Sequence, residues 1–376
     1  MTTTVLGLGI WLSLALRVEA SNLAPGVYVT SEHTIYVGVQ HDPPGPASND
    51  FFDSTTQRTG DVQATQDLQL RSGISEESRV IEAPQGRLGL SLYYAGEGPR
   101  ATVILVHGND PETREMGGQR ADDVETIYDR MRRDPHVDAH RIGIWGFSNG
   151  GWTAPLVSIH RPLAFMILKS APTESVSKNI DYEVEQAMRR HNADDASPQA
   201  IALWHAFEGS LDGSVSWSYT KRLYDIDAKQ PWFQYSLMPE LGISIPPPSS
   251  KIAGLRRLVA FDPTRTLRSV SSTPTLALYG VLDRNVDAAD SAAHLREYLS
   301  RAGDHDVTIK MYPNAGHQLI VSESGYNGNP APPQRFVPDY PQIMISWLAQ
   351  RGFTTERPSP HGGKGEKPTP AQRTRP

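Results

Sequence analysis

Arg141-Ile142-Gly143-Ile144-Trp145-Gly146-Phe147-Ser148-Asn149-Gly150-Gly151 is the stretch that decides how this chain is read. Arg141 to Trp145 form a strand-like run, and the glycines two positions either side of Ser148 permit an abrupt turn without a backbone clash. Residues 151–160 are compatible with a helix. Strand, turn and helix in that order leave a serine hydroxyl exposed at the tip of a sheet, which makes Ser148 the candidate nucleophile.

Outward from this turn, strand and helix patterns alternate. Residues 101–106 are continuously apolar and β-branched, as in a strand buried on both faces. Residues 121–133 read as a helix with Val124, Ile127, Tyr128 and Met131 on one side, and residues 134–140 as the turn that leads into the serine strand. Strands follow at 165–169, 275–279 and 307–312, with helices at 288–301 and 340–351. The pattern predicts an α/β fold: a mostly parallel sheet with helices on both faces. Before it, residues 26–29 and 34–39 suggest one hairpin, and residues 78–83 and 88–94 a second. Residues 42–73 are polar and read as loop.

Residues 171–262 interrupt the alternation with helical sequence rich in aromatics, among them Trp204, Phe207, Trp217, Trp232 and Phe233. This insertion is expected to be a helical cap over the C-terminal ends of the strands. Most of its aromatics should pack the cap onto the sheet, although such rings can also line an apolar pocket. The expected organisation is a segment 1–20, a hairpin and polar loop at 21–76, a core built from 77–170 and 263–355, a cap at 171–262 and a tail at 356–376.

With 376 residues and 38% hydrophobic content, the chain can bury a sizeable core, as one large domain with an insertion or two domains at most. The net charge of −6 conceals a basic Pro/Gly-rich end carrying Arg357, Lys364, Lys367, Arg373 and Arg375, expected to be disordered. No basic patch with interleaved aromatics argues for nucleic acid. Residues 5–16 form an apolar run of signal-peptide length, with a cleavage position after Ala20. The expected location is therefore secreted or periplasmic, with no stable membrane insertion once the signal is cleaved. No basic residue precedes the run, so an uncleaved anchor or a buried helix stays open. The absence of cysteine neither supports nor opposes an oxidising compartment.

A serine hydroxyl is a weak nucleophile near neutral pH and needs a base, itself oriented by an acid. His317, in Asn314-Ala315-Gly316-His317, follows the strand at 307–312 and reaches the edge where Ser148 emerges if the strands are parallel. His136 and His140 precede a strand and belong at the opposite edge. Asp283 follows the strand at 275–279 and is the candidate acid, with Glu174 as runner-up; Asp287 and Asp290 suit the start of the next helix. The amide of Asn149 and a second amide from Gly108 or Asn109 are the candidate oxyanion donors, and His107 shapes their loop. No residue cluster with metal-ligand spacing and no phosphate-cradling loop is present, so no cofactor or metal is expected.

His107-Gly108, the turn at residues 146–151, Gly280-Val281-Leu282-Asp283 and Gly316-His317 together make the chain resemble the α/β-hydrolase superfamily. Within it, the likeness is to the dienelactone hydrolase and prolyl oligopeptidase-like branch. The resemblance runs over residues 77–353 and implies Ser148, Asp283 and His317 as a catalytic triad working through an acyl-enzyme. One departure is evident: residues 109–120 are too few for the strand-helix unit that members of the superfamily place after the His-Gly loop. Direct pairing across that gap would still give an allowed topology. The expected substrate is a small-molecule ester. The alternatives are a short peptide, cleaved by a serine peptidase of prolyl oligopeptidase-like type, and a catalytically silent binding protein.

Overall fold

The computed structural model describes residues 2–5, 26–29, 34–37, 69–70, 74–84, 86–95, 98–108, 118–240, 242, 244–326 and 336–354. Contacts divide the chain into two units, Met1–Pro338 and Asp339–Pro376. The first contains β1 (Thr2–Val5), β2 (Gly26–Val29), β3 (Thr34–Val37), β4 (Gln69–Leu70), β5 (Ile74–Ala83) and β6 (Gly86–Ala95). Then β7 (Arg100–Val106), α1 (Gly118–Met131), β8 (Val137–Phe147), α2 (Gly150–Ser158) and β9 (Met166–Lys169) alternate. The interval before the next strand holds α3 (Val176–Arg190), α4 (Ser197–Asp212), α5 (Trp217–Asp227), α6 (Leu237–Glu240), α7 (Ser249–Val259) and α8 (Thr264–Leu267). β10 (Thr275–Gly280), α9 (Ala288–Arg301) and β11 (Val307–Tyr312) complete the first unit, and α10 (Tyr340–Gln350) lies in the second.

The central sheet has the order β11-β10-β9-β8-β7 and is parallel throughout. Parallel strands need cover on both faces, and the burial matches: every residue of β9 and β10 is buried, as is β8 from Ile142 to Phe147. Because all five strands run the same way, their C-terminal ends, and the loops after them, share one edge. β8 begins earlier than the turn expected at 134–140. The Asp134 carboxylate accepts the His136 amide and the Asp134 carbonyl accepts that of Val137, so the turn is complete by Val137. The extra residues are absorbed as an irregularity, since Arg100 pairs with Val137 but Thr102 with Ile142.

β5 and β6 form the expected hairpin, paired from Ile74 with Ala95 to Ala83 with Gly86. The direct pairing that the shortened segment would allow does not occur: β6 and β7 belong to separate sheets. The free edge of β6 instead pairs in parallel with β1, from Thr2 opposite Arg87 to Val5 opposite Leu90. An unpaired edge exposes a row of backbone donors and acceptors, which a further strand satisfies. Side chains hold the hairpin to the core. Arg79 forms an ion pair with Asp134, Tyr94 stacks on His136 at 4.1 Å, and Leu88, Leu90 and Leu92 join Val124 and Ile127 of α1 in the main hydrophobic core.

β2 and β3 also form the expected antiparallel hairpin, with β4 as a third strand. Of the segment expected as a signal peptide, only Thr2–Val5 falls among the described residues, and residues 355–376 of the tail lie outside them. Among the described residues no helix is long and apolar enough to cross a membrane.

The insertion is helical and has its own core, in which Leu203, Trp204, Phe207 and Phe233 are buried, so these aromatics pack the cap helices on one another and not, as expected, onto the sheet. Its two stems meet at the sheet. The Val176 amide donates to the Phe261 carbonyl at 3.1 Å, the Trp152 indole donates to the Pro172 carbonyl at 2.6 Å, and the Trp152 and Phe261 rings lie 5.1 Å apart.

Burial works to raise the pKa of Asp134, but the Arg79 guanidinium and the His136 amide outweigh it and hold the carboxyl below its ordinary value. A depressed carboxylate contributes stability that is fully present above its unfolded pKa and is lost as pH falls through the folded one. Asp134→Ala should therefore destabilise the protein at neutral pH by about 2 kcal/mol, measured by urea unfolding, and the difference should shrink below a pH of about 4.

Candidate active site

The turn after β8 is built from backbone approaches that exclude side chains. A Cβ on Gly150 would lie 2.5 Å from the His107 carbonyl at the end of β7, and one on Gly146 would run into the Gly150 carbonyl. With both positions vacant, the chain turns at Ser148, whose φ is +53°, and α2 starts at Gly150. Left-handed backbone is costly for a non-glycine residue, so the turn stores strain of about 1 kcal/mol at the serine. Two hydrogen bonds fix it: the Ser148 amide donates to the Lys169 carbonyl of β9 and its carbonyl accepts the Gly151 amide, both at 2.8 Å.

Asp283 lies in the loop after β10 and is 1% exposed. One carboxylate oxygen accepts the amides of Asn285 and Val286 at 2.8 and 3.0 Å, and the other is 2.8 Å from His317 Nδ1. With an ionised Asp283 the proton of this last bond sits on Nδ1, leaving Nε2 as the free, basic nitrogen. The His317 ring rests against Phe147, centroids 4.9 Å apart, which places it beside the residue preceding Ser148. Ser148 and His317 themselves are not hydrogen-bonded, as is common for such pairs in the absence of substrate.

The His-Gly loop reaches the same point. A Cβ on Gly108 would lie 2.9 Å from that of Ser148, and His107 Nδ1 is 2.8 Å from the Gly108 carbonyl. Asn149 caps α2 with helical backbone, φ −62° and ψ −20°. Asn109 lies outside the described residues. Glu174, the runner-up acid, is elsewhere. Its carboxylate is 2.5 Å from His294 Nδ1 and 3.1 Å from Lys178, in an acidic cleft of about 290 Å³ between α3 and α9. Asp287 caps α9 by accepting the amides of Ala289 and Asp290. Among the described residues no group of side chains is arranged to hold a metal ion.

Several residues that sequence reasoning passed over converge here. Ser170, buried and with φ +47°, donates its hydroxyl to the His317 carbonyl at 2.7 Å. Tyr182 of α3 donates to the Asp283 carbonyl at 2.8 Å, and its phenol is pushed up to about 12 by burial and by the nearby Asp287 and Asp283 carboxylates. Arg284 donates to Gln186 of the same helix, and the Tyr326 hydroxyl to the Gln186 carbonyl, both at 3.0 Å. The first cap helix is thereby tied to the loops that follow β10 and β11. No local pattern in the sequence marks these residues, since each meets its partner across the fold.

The strain at Ser148 is measurable. Ser148→Gly should be more stable than Ser148→Ala by about 1 kcal/mol in urea unfolding, because glycine adopts positive φ without the Cβ penalty.

The sequence profile of the prolyl oligopeptidase family matches residues 110–198. A search of curated protein sequences gives no significant match. Among solved structures, a protein of Klebsiella pneumoniae described as a dienelactone hydrolase is 15% identical with a TM-score of 0.43, covering 74% of this chain and 99% of its own. The Pyrococcus furiosus esterase Pf2001 is 13% identical with a TM-score of 0.42, over 74% of this chain and 90% of that one. Acetyl xylan esterase 1 from Thermoanaerobacterium is 11% identical with a TM-score of 0.42, over 74% and 84%. The profile match makes the chain similar to the prolyl oligopeptidase family over residues 110–198, and the parallel strand order, the strained serine between β8 and α2 and the loops that gather behind it give it the α/β-hydrolase fold.

Proposed function

We propose that the protein is a serine hydrolase that cleaves a carboxylic ester through an acyl-enzyme. The observation that carries this reading is the buried His317–Asp283 pair standing against Phe147, one residue from a serine held at positive φ. Ser148 Oγ attacks the ester carbonyl carbon while His317 Nε2 takes its proton, and Asp283 steadies the imidazolium that forms. The oxyanion is held by the Asn149 amide and by that of Gly108 or Asn109, each such donor being worth about 3 kcal/mol in the transition state. As the carbonyl re-forms, the alkoxide leaves and takes the proton from His317. Water then repeats the sequence on the acyl-serine, with His317 as base, and releases the acid.

The profile match to a peptidase family favours a second reading, in which the scissile bond is a peptide bond. The same residues would act, with His317 protonating the departing amine. The two readings separate by substrate: p-nitrophenyl esters of short acids against peptide anilides.

A fluorophosphonate probe should label the wild-type protein and not Ser148→Ala. Well-folded protein that resists labelling would leave the binding-protein reading in place of the enzyme. In ester hydrolysis, Asp283→Asn should lower kcat by about 10⁴, since an amide in that position favours the wrong imidazole tautomer. An anilide preferred over the ester in kcat/KM would replace the esterase reading with the peptidase one.

A further inference from the structure

Lys169 is the last residue of β9, and its carbonyl accepts the amide of Ser148. Its side chain is enclosed in the protein, the residue being 4% exposed. The ammonium lies 4.5 Å from the ring centroid of Phe147, 5.4 Å from that of Phe336 and 5.8 Å from that of Trp145. Register accounts for two of these walls. Lys169 stands opposite Phe147 and Ile167 opposite Trp145, so Lys169, Phe147 and Trp145 occupy one face of the sheet. Ring faces carry negative potential and attract a cation, most strongly where water is excluded. Phe147 is also the ring against which His317 rests. One phenyl group thus contacts both the amine and the imidazole.

We propose that Lys169 is a positioning residue for His317: its ammonium fixes the Phe147 ring, and that ring fixes the imidazole beside Ser148. The proposal rests on the hydrolase reading and deepens it, because Lys169 acts through Phe147 and touches no reacting atom.

The arrangement depends on charge. Burial pulls the lysine down to about 7, opposed by the Asp283 carboxylate. Among the described residues the titratable groups on this side are Asp283, whose charge acts on it, and His317, on the other side of Phe147; β8 and the segment at Phe336 present rings, and its partner on β10 is Leu278. The ammonium is present below its pKa and is lost as pH rises through it. Its hold on Phe147 therefore weakens above neutral pH, which gives the activity a falling alkaline limb.

The test compares wild type, Lys169→Met and Lys169→Arg by the pH dependence of p-nitrophenyl acetate hydrolysis, and by NMR of the proton between His317 and Asp283. In Lys169→Met, kcat near a pH of about 6.5 should fall about tenfold with KM within about twofold, and the alkaline limb should vanish. Lys169→Arg, always charged, should keep most of the wild-type kcat and remain active to higher pH. The shared proton should resonate alike in wild type and Lys169→Arg, and be broadened or shifted in Lys169→Met. A folded Lys169→Met with wild-type kcat, pH profile and proton resonance would overturn the proposal, as would a loss that arginine does not restore. Should Lys169→Met fail to fold, the wild-type profile decides: a single rise with no decline up to a pH of about 9 refutes it. If wild type shows no Ser148-dependent hydrolysis, the esterase reading falls, and the NMR comparison alone decides the role of Lys169.

Discussion

Three pieces of backbone occupy one small volume at the end of β8, and the remainder of the site follows from that crowding. The α-carbon of Gly150 lies against the carbonyls of Val106 and His107, and Gly146 against the carbonyl of Gly150. No side chain fits between them, so β7, β8 and the first turn of α2 are locked at contact distance. The residue caught in the middle is Ser148, and its positive φ is the geometric result. The same contacts bring Gly108 next to the serine, so Ser148 and the His-Gly loop are positioned together. Strain in the backbone is tolerated because the neighbouring strand also holds the turn, through the carbonyl of Lys169.

The parts of this arrangement that were legible in the sequence are those set by local pattern. Ser148, Asp283 and His317 each follow a strand-like run, and a parallel sheet brings such positions to one edge whatever the loops between them do. Tyr182, Ser170 and Lys169 were not legible, for a different reason. Their partners, Asp283, the carbonyl of His317 and the ring of Phe147, are far away in sequence or on a neighbouring strand, and no periodicity encodes which face of a strand will meet which ring. The early start of β8 was hidden similarly: Asp134 and His136 resemble turn residues, and only the carboxylate-to-amide bond shows how short that turn is.

The shortened segment after Gly108 was visible as a count of residues, but its outcome was not. Lacking a strand between β6 and β7, the hairpin contributes no ladder to the central sheet and is attached by side chains. A guanidinium meets a buried carboxylate, one tyrosine ring stacks on a histidine, and leucines of β6 enter the common core. Hydrophobic burial has no register, so it can bridge a spacing that strand pairing cannot. The free edge of β6 is covered by β1.

The meeting of the cap's two stems at Val176 and Phe261 makes the insertion a closed excursion from the sheet. β9 and β10 pair directly whatever lies between them, since Met166 to Lys169 stand opposite Thr275 to Leu278. A lineage can therefore exchange, shorten or elaborate this cap as a cassette without altering the geometry of the strands beneath. Its first helix is tied to the loops below through the Tyr182 hydroxyl, the side chain and carbonyl of Gln186, and the Arg190 guanidinium over the Tyr326 ring. Change in the cap and change at the strand edge that carries Ser148 can thus proceed on separate stretches of one gene.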